Sequence, residues 1–253
     1  DRDVHTLPIP RLGGLAILCG LTAATLVARQ LPYLKGVYTS GQMTGVLLGA
    51  VVICLMGAVD DIRELDWVTK FAGQALAAGV MAYKGVVMLH IPFFGTSTVL
   101  PQPVLVAVTI GIVLVTVNAV NWIDGLDGLA AGVVAIAALA FFVYSYLLSY
   151  TFNPPNVFST ATFVTAATLG CCLGFLPHNF NPARLFMGDS GSLLLGLLLA
   201  AATISITGNV DPSAVSGDQV TAALLPLLAP LAVLSLPFLD VVLAIIRRTR
   251  AGQ

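Results

Sequence analysis

Four polar side chains recur at intervals of three residues in the segment NAVNWIDGLDG: Asn118, Asn121, Asp124 and Asp127. Long stretches without any Asp, Glu, Lys or Arg flank this cluster, at 85–123 and at 128–183. Carboxylate oxygens are the ligands that hard divalent cations such as Mg²⁺ take from proteins, together with phosphate oxygens and water. The cluster therefore indicates a site for a cation and a phosphate-bearing ligand.

The composition around this cluster is that of a polytopic membrane protein. Of the 253 residues, 58% are hydrophobic and 9% are charged, whereas soluble domains carry about 25% charged residues. A membrane-spanning helix needs about 20 mainly apolar residues, and a transmembrane β-strand only about ten. We therefore predict an all-α bundle of about eight transmembrane helices, at 13–31, 43–59, 70–89, 103–120, 129–149, 158–177, 191–208 and 219–247. The last contains three prolines and should be kinked or broken.

Alternation of the chain through these spans sorts the polar loops onto two sides. One side receives eight of the eleven Lys and Arg residues and nine of the twelve Asp and Glu residues. The basic excess makes this side cytoplasmic by the positive-inside rule. Acidic residues contribute little to that rule, so a cytoplasmic site for a metal ion and phosphates is the better explanation for them. The net charge of −1 gives no indication of a nucleic-acid partner, and none is expected.

Asp60 and Asp61 stand where the second span leaves the membrane, and Lys70 opens the third. Adjacent helical residues point about 100° apart, so both aspartates face one site only if the helix ends there. Solvated interfacial charge is the alternative for the aspartates. For Lys70 the alternative is a side chain that reaches into the headgroup zone.

Asp124 and Asp127 would share one face if they were helical, with Asn121 beside them. Asn118 should turn away from that face and serve as a helix-packing amide. The glycine after each aspartate permits a turn or a close approach of the backbone to a ligand. Capping of the following span would explain one of the two aspartates but does not require both.

Asp189 begins the seventh span, where the helix N-terminus favours anions. A carboxylate at this place either caps the helix or holds Mg²⁺ beside phosphate oxygens. The segment HTLPIPRLGG is a proline-stiffened loop that enters the first span. In this loop His5 and Arg11 are candidates for a phosphate contact, and a membrane anchor is the alternative for Arg11.

Three segments, in this order, resemble the polyprenyl-phosphate N-acetylhexosamine-1-phosphate transferases: GAVDDIRELDWVTKFAGQ, NAVNWIDGLDGLAAG and PARLFMGDSGSLLLG. Members of this family are membrane enzymes that move a sugar-1-phosphate from a UDP-sugar to a polyprenyl phosphate, release UMP and require Mg²⁺. The HTLPIPRLGG loop is similar to the branch that uses UDP-GlcNAc, the WecA/TagO branch. UDP-MurNAc-pentapeptide or another UDP-N-acetylhexosamine is the alternative donor. The resemblance implies one catalytic transmembrane domain, 1–253, in the bacterial inner membrane with its site on the cytoplasmic face.

The residues that match the family's motifs take their expected roles from this resemblance. The expected catalytic residues are Asp60, Asp61, Asp124 and Asp127. The expected ligands of Mg²⁺, or of Mn²⁺ in its place, are Asp189 and Asp61. Phe186 is expected to stack on the uracil, and the full set of candidate substrate-binding residues is Lys70, Asn121, Asn179, Phe186, Arg11 and His5.

The expected partners are UDP-GlcNAc, a polyprenyl phosphate and the membrane lipids, with a homodimer as a candidate assembly. Family members have a further span before the HTLPIPRLGG loop and a His-rich cytoplasmic loop beyond residue 253, so we expect segments on both sides of this chain. A proton or divalent-cation transporter is the rival interpretation from another class. Transporter sites lie near the bilayer midplane, whereas nearly all the acids here are interfacial.

Overall fold

Seven α-helices form the part of the chain that the structure describes. The computed structural model describes residues 9–88, 91–93, 96–98, 101–152 and 158–208. The helices are α1 (Gly13–Ala28), α2 (Gln42–Arg63), α3 (Trp67–Tyr83), α4 (Gln102–Ile123), α5 (Leu129–Phe152), α6 (Thr160–Asn179) and α7 (Gly188–Gly208). Between α3 and α4 two short strands, β1 (Ile91–Phe93) and β2 (Thr96–Thr98), pair antiparallel with Ile91 opposite Thr98.

The predicted all-α membrane bundle is confirmed over the described residues. Helices α2, α4, α5, α6 and α7 are each long and apolar enough to cross a membrane, so this is a multi-pass membrane protein. The seven helices overlap the first seven predicted spans. The third prediction, 70–89, is too long, because α3 has 17 residues, ends at Tyr83 and falls short of a membrane-crossing helix. The eighth, 219–247, and its expected kink lie outside the described residues. The β1–β2 hairpin is an addition that the apolar pattern did not predict.

The first span is shorter than the predicted 13–31. Helix α1 ends at Ala28, and the chain bends by 119° into a 3₁₀ helix, Pro32–Tyr38. A proline lacks the backbone N–H and disfavours helical backbone at the residue before it. Leu31 is accordingly extended, with φ −88° and ψ 119°. The proline therefore prevents the helix from continuing, and α1 ends just before the polar pair Arg29 and Gln30.

Helix α7 lies at the centre of the bundle. Residues 190–207 are all buried, and α7 contacts α1, α2, α4, α5 and α6. A helix that is apolar on every side is one that lies inside a protein or membrane, and α7 has this character from Leu193 to Ala202. The other helices therefore surround the one that carries Asp189 in its first turn.

Two glycines let α1 and α2 approach the start of α7 at backbone distance. A Cβ added at Gly57 would lie 2.5 Å from Ser190 Cα and 2.6 Å from Ser190 N. A Cβ added at Gly14 would collide with the backbone of Ser190 and Gly191. Small residues at such crossings allow close helix packing in membranes, where van der Waals contact drives helix association. The end of α2 and the start of α1 thus lie directly against the first turn of α7.

Backbone hydrogen bonds attach the loop before α1 to the segment before α7. The N–H groups of Gly13 and Gly14 donate to the carbonyls of Phe186 and Met187, each at 3.1 Å. The N–H of Phe186 donates to the carbonyl of Pro10 at 3.0 Å. The PRLGG segment is therefore held beside α7 by its backbone, whatever its side chains bind.

We expect Gly57→Ala to destabilise the protein by about 1–3 kcal/mol, the usual cost of overpacking. The added methyl group would meet the backbone of α7, which cannot rotate away as a side chain can. Thermal denaturation of the detergent-solubilised protein measures the effect. Gly79→Ala in α3 is the matched control, because a Cβ there has nothing within 4 Å. Equal denaturation midpoints for the two variants would contradict the close α2–α7 contact.

Candidate active site

The acidic segments that were predicted to share one side of the membrane meet at one end of the bundle, which we call the acidic end. Helices α2 and α4 run toward this end, and α3 and α7 run away from it. It therefore collects the last turns of α2 and α4 and the first turns of α3 and α7. These turns carry Asp60, Asp61, Lys70, Asn121 and Asp189.

Asp61 caps α7 from a different helix. One of its carboxylate oxygens accepts the N–H of Asp189 at 2.9 Å, and the other accepts the N–H of Ser190 at 3.1 Å. The first N–H groups of a helix lack partners within it, and the positive end of the helix dipole stabilises a carboxylate there. Gly188, with φ of 69°, makes room for this contact, since a Cβ there would lie 2.5 Å from Asp61 Oδ2. The N-terminus of α7 thus binds an anion, as expected, and this anion is the carboxylate of Asp61.

Asp60 is buried and forms an ion pair with Lys70. It is 4% exposed, and its Oδ1 accepts the N–H of Leu65 at 2.7 Å. Its Oδ2 lies 2.5 Å from Lys70 Nζ, which also lies 3.4 Å from Asp189 Oδ2. A buried carboxylate deprived of its cation costs roughly 3–5 kcal/mol. The half-exposed side chain of Lys70 is therefore held at the acidic end by two carboxylates.

Asn121 holds the other oxygen of Asp189. Its Nδ2 donates to Asp189 Oδ1 at 3.2 Å and to Ser192 Oγ at 2.9 Å. Asn118, one turn earlier, points to α3 and donates to Gln74 Oε1 at 2.7 Å. The prediction that Asn118 is a packing amide is confirmed. Of these two α4 amides, only Asn121 contacts Asp189.

Asp124 and Asp127 lie in the turn between α4 and α5, not on a helix. Of the helix and the turn that the sequence allowed here, the structure shows the turn, because α4 ends at Ile123. Gly128 gives the turn its left-handed backbone, with φ of 76°. Asp127 Oδ2 accepts the N–H of Ala183 at 3.0 Å, which ties this turn to the α6–α7 loop.

Asn179 makes a second tie between the same two segments. Its Oδ1 accepts the N–H of Gly128 at 3.0 Å, and its Nδ2 donates to the carbonyl of Leu185 at 2.9 Å. The side chain is buried, and both ends of its amide have protein partners. Asn179 therefore positions the walls of the site, and its contact with substrate stays a prediction.

A cavity of about 630 Å³ opens at the acidic end, within the size range of small-molecule sites. The predicted site residues on its walls are Arg11, Asp61, Asn121, Asp124, Asp127, Asn179, Phe186 and Asp189. Asp60 and Lys70 do not line it and reach it only through Asp189. His5 lies outside the described residues.

The cavity is strongly acidic. Its described walls carry four carboxylates and one guanidinium. Burial raises the pKa of Asp124 to about 7, and the negative charges of Asp189 and Asp61 add to this effect. No group of three or more His, Cys, Asp or Glu side chains is arranged to hold a metal ion within the described residues. A Mg²⁺ site made of one or two carboxylates and substrate phosphates needs no such group.

Gly57 is a site-building residue that the sequence did not reveal. A Cβ added at Gly57 would meet the backbone of α7, whereas one added at Gly49 would meet Met81 of α3, so these two small residues of α2 pack against different helices. Small residues at helix spacing mark packed faces in membrane proteins, and this was the available signal. It does not say which helix the face packs against.

The chain is similar to proteins of one family over most of its length. A model of the family described as glycosyl transferase family 4 matches residues 43–207. A decaprenyl-phosphate N-acetylglucosaminephosphotransferase of Mycobacterium leprae (strain TN) is 46% identical over 258 residues, which cover 100% of this chain and 65% of the relative. The chain thus spans about two thirds of that relative's length.

The names of two further relatives give different transferred groups. A probable undecaprenyl-phosphate N-acetylglucosaminyl 1-phosphate transferase of Bacillus subtilis (strain 168) is 35% identical, over 98% of this chain and 62% of the relative. A phospho-N-acetylmuramoyl-pentapeptide-transferase of Desulforudis audaxviator (strain MP104C) is 38% identical, over 80% of this chain and 64% of the relative. The names of the relatives thus include both an N-acetylglucosaminyl 1-phosphate and a phospho-N-acetylmuramoyl-pentapeptide as the transferred group.

In the ion-free protein, Asp124 should be protonated below about pH 7 and ionised above it, because a raised carboxyl pKa keeps the proton to higher pH. Infrared spectra between about pH 5 and about pH 9 should show a protonated-carboxyl band that disappears near neutrality. The band should be missing from Asp124→Asn. It should persist in Asp66→Asn, since Thr69 holds the pKa of Asp66 below its ordinary value. An unchanged band in Asp124→Asn would refute the assignment.

Proposed function

The chain belongs to glycosyl transferase family 4, and from that premise we propose that the protein transfers GlcNAc-1-phosphate from UDP-GlcNAc to a polyprenyl phosphate and releases UMP. The observation that carries the proposal is the acidic cavity, in which Asp189 is held between the amide of Asn121 and the ammonium of Lys70. The names of the mycobacterial and Bacillus relatives contain both a polyprenyl phosphate and an N-acetylglucosamine phosphate. These names support a lipid phosphate and an activated N-acetylglucosamine as the substrates. The membership confirms the resemblance drawn from the three motifs.

We infer that the cavity is the donor site. Phe186 lies on its wall and offers an aromatic ring to the uracil, and Arg11 offers a guanidinium to the diphosphate. Asp124 and Asp127 lie in the α4–α5 turn, which forms another wall of the cavity, and there they can accept hydrogen bonds from sugar hydroxyls. The excess of basic residues in the loops on this side supports a cytoplasmic orientation.

A divalent cation, Mg²⁺ or Mn²⁺, fits the donor atoms of this cavity. Asp189 and Asp124 supply carboxylate oxygens and Asn121 an amide oxygen, all of which are hard ligands of the kind that Mg²⁺ takes. Asp61 was the second expected ligand, but both of its oxygens already accept N–H groups of α7, so we propose Asp124 in its place. Four carboxylates around the cavity would repel an anionic diphosphate, so a cation is needed for the substrate to enter. When bound, the ion supplies charge neutralisation on the diphosphate and on the departing UMP.

Phosphoryl transfer depends mainly on positioning and charge neutralisation. The acceptor's phosphate monoester has a second pKa near about 6, so its oxygen is already a nucleophile at neutral pH and needs no general base. This oxygen attacks the sugar-linked β-phosphorus, the bond from that phosphorus to the UMP oxygen breaks, and a lipid diphosphate sugar forms. Lys70 and Arg11 reduce the repulsion between the two anionic reactants.

The surroundings of Asp60 and Asp61 favour this direct transfer over a covalent phospho-aspartyl intermediate. Both oxygens of Asp61 accept N–H groups from the first turn of α7. Asp60 is buried and paired with Lys70. Attack by either carboxylate would require the loss of a helix cap or of a buried ion pair.

The acids at the end of the bundle also favour an enzyme over a cation transporter. Asp60, Asp61, Asp124 and Asp189 all lie at the ends of helices, whereas transporter sites lie near the bilayer midplane. UDP-MurNAc-pentapeptide stays the alternative donor, because a relative that carries this specificity in its name is 38% identical.

UMP should be released from UDP-GlcNAc only when polyprenyl phosphate and Mg²⁺ are both present with the full-length protein. UDP-GalNAc and UDP-MurNAc-pentapeptide should react at least about tenfold more slowly. A coupled UMP assay in nanodiscs measures all three donors. Release from none of them would refute the proposal, and exchange of labelled UMP into UDP-GlcNAc without lipid would refute direct transfer.

A further inference from the structure

Lys70 contacts the carboxylate that is proposed to hold the metal ion. Its Nζ lies 3.4 Å from Asp189 Oδ2 and 2.5 Å from Asp60 Oδ2. The other oxygen of Asp189 accepts a hydrogen bond from Asn121 Nδ2 at 3.2 Å. An ammonium group thus stands at one oxygen of Asp189, where a divalent ion would also have to bind.

The two ion pairs of Lys70 differ in depth and length. The Asp60 side chain is 2% exposed, whereas that of Asp189 is 35% exposed. Asp60 without Lys70 would be an unpaired buried charge, which is strongly destabilising. Asp189 lies beside the open cavity, and its contact with Lys70 is the longer of the two. The Lys70–Asp189 contact is therefore the one that gives way when another cation arrives.

We propose that Lys70 is a resident cation on Asp189, which neutralises this carboxylate in the ion-free protein and leaves Oδ2 when a divalent ion binds there. Asp60 remains the anchor of the lysine throughout. An ammonium group has three N–H donors, and Asp60 and Asp189 account for two of them, so departure from Asp189 leaves two donors for the oxygens of the acceptor's phosphate. The inference rests on the proposed function and adds an order to it: the cation binds first, and Lys70 then turns from Asp189 to the acceptor.

Mn²⁺ binding to the full-length protein, without nucleotide or lipid, tests the exchange. Electron paramagnetic resonance of the free ion measures the affinity. Lys70→Met should bind Mn²⁺ about tenfold more tightly, because a competing unit charge only a few ångströms from the carboxylate is removed. Lys84→Met is the matched control, since Lys84 caps the opposite end of the same helix, and it should bind like the wild type.

The double variant Asp60→Asn/Lys70→Met separates direct competition from a general effect of charge. It removes one negative and one positive charge, so the net charge beside the cavity stays that of the wild type. It also leaves no unpaired buried carboxylate, so it should fold even if the single Lys70→Met variant does not. Direct competition predicts that the double variant binds Mn²⁺ about tenfold more tightly than the wild type.

Tighter Mn²⁺ binding by the double variant supports the resident cation. Equal Mn²⁺ affinity of the double variant and the wild type overturns it. Unchanged or weaker Mn²⁺ binding by a folded Lys70→Met variant also overturns it, and so does a wild type that binds no Mn²⁺. UMP release by the wild type is measured in parallel. Transfer without the affinity change refutes only the resident cation, and the affinity change without transfer refutes only the proposed function.

Discussion

The carboxylate of Asp61 at the N-terminus of α7 is the contact on which the rest of the acidic end depends. It satisfies the N–H groups of Asp189 and Ser190, which would otherwise be unpaired at the start of a central helix. A cap of this kind contributes roughly 0.5–2 kcal/mol. Its larger consequence is positional, because it joins the last turn of α2 to the residue whose side chain faces the cavity.

Close helix packing fixes the position of this contact. Gly57 and Gly14 bring two helices to backbone distance from the start of α7, so the first turn of α7 has little freedom to shift. Asn121 and Lys70 then hold the two oxygens of Asp189. Neutral and positive groups thus restrain a carboxylate inside a cavity that is otherwise negative, and a cation site in such a place is already ordered before the ion arrives.

The sequence predicted the helices and the meeting of the acidic segments at one end of the bundle, because apolar length and loop alternation determine both. It could not predict which partner each carboxylate binds. Asp60 and Asp61 are neighbours in the chain, yet one pairs with Lys70 and the other caps α7. That division depends on which helix packs against α2, and a local pattern contains no such information. The conformation at Asp124 stayed open for a related reason, since the spacing suited a helix, the glycines suited a turn, and tertiary contacts decide for the turn.

The central claim is that the acidic cavity, with Asp189 at the start of α7, binds the nucleotide diphosphate together with a divalent ion. The most direct test is a crystal structure of the full-length protein with UDP and Mn²⁺, in which the anomalous signal locates the metal. The account predicts the Mn²⁺ peak at the carboxylate of Asp189, with the diphosphate in the cavity between α4 and α7. A peak away from Asp189, or UDP bound outside this cavity, would contradict it.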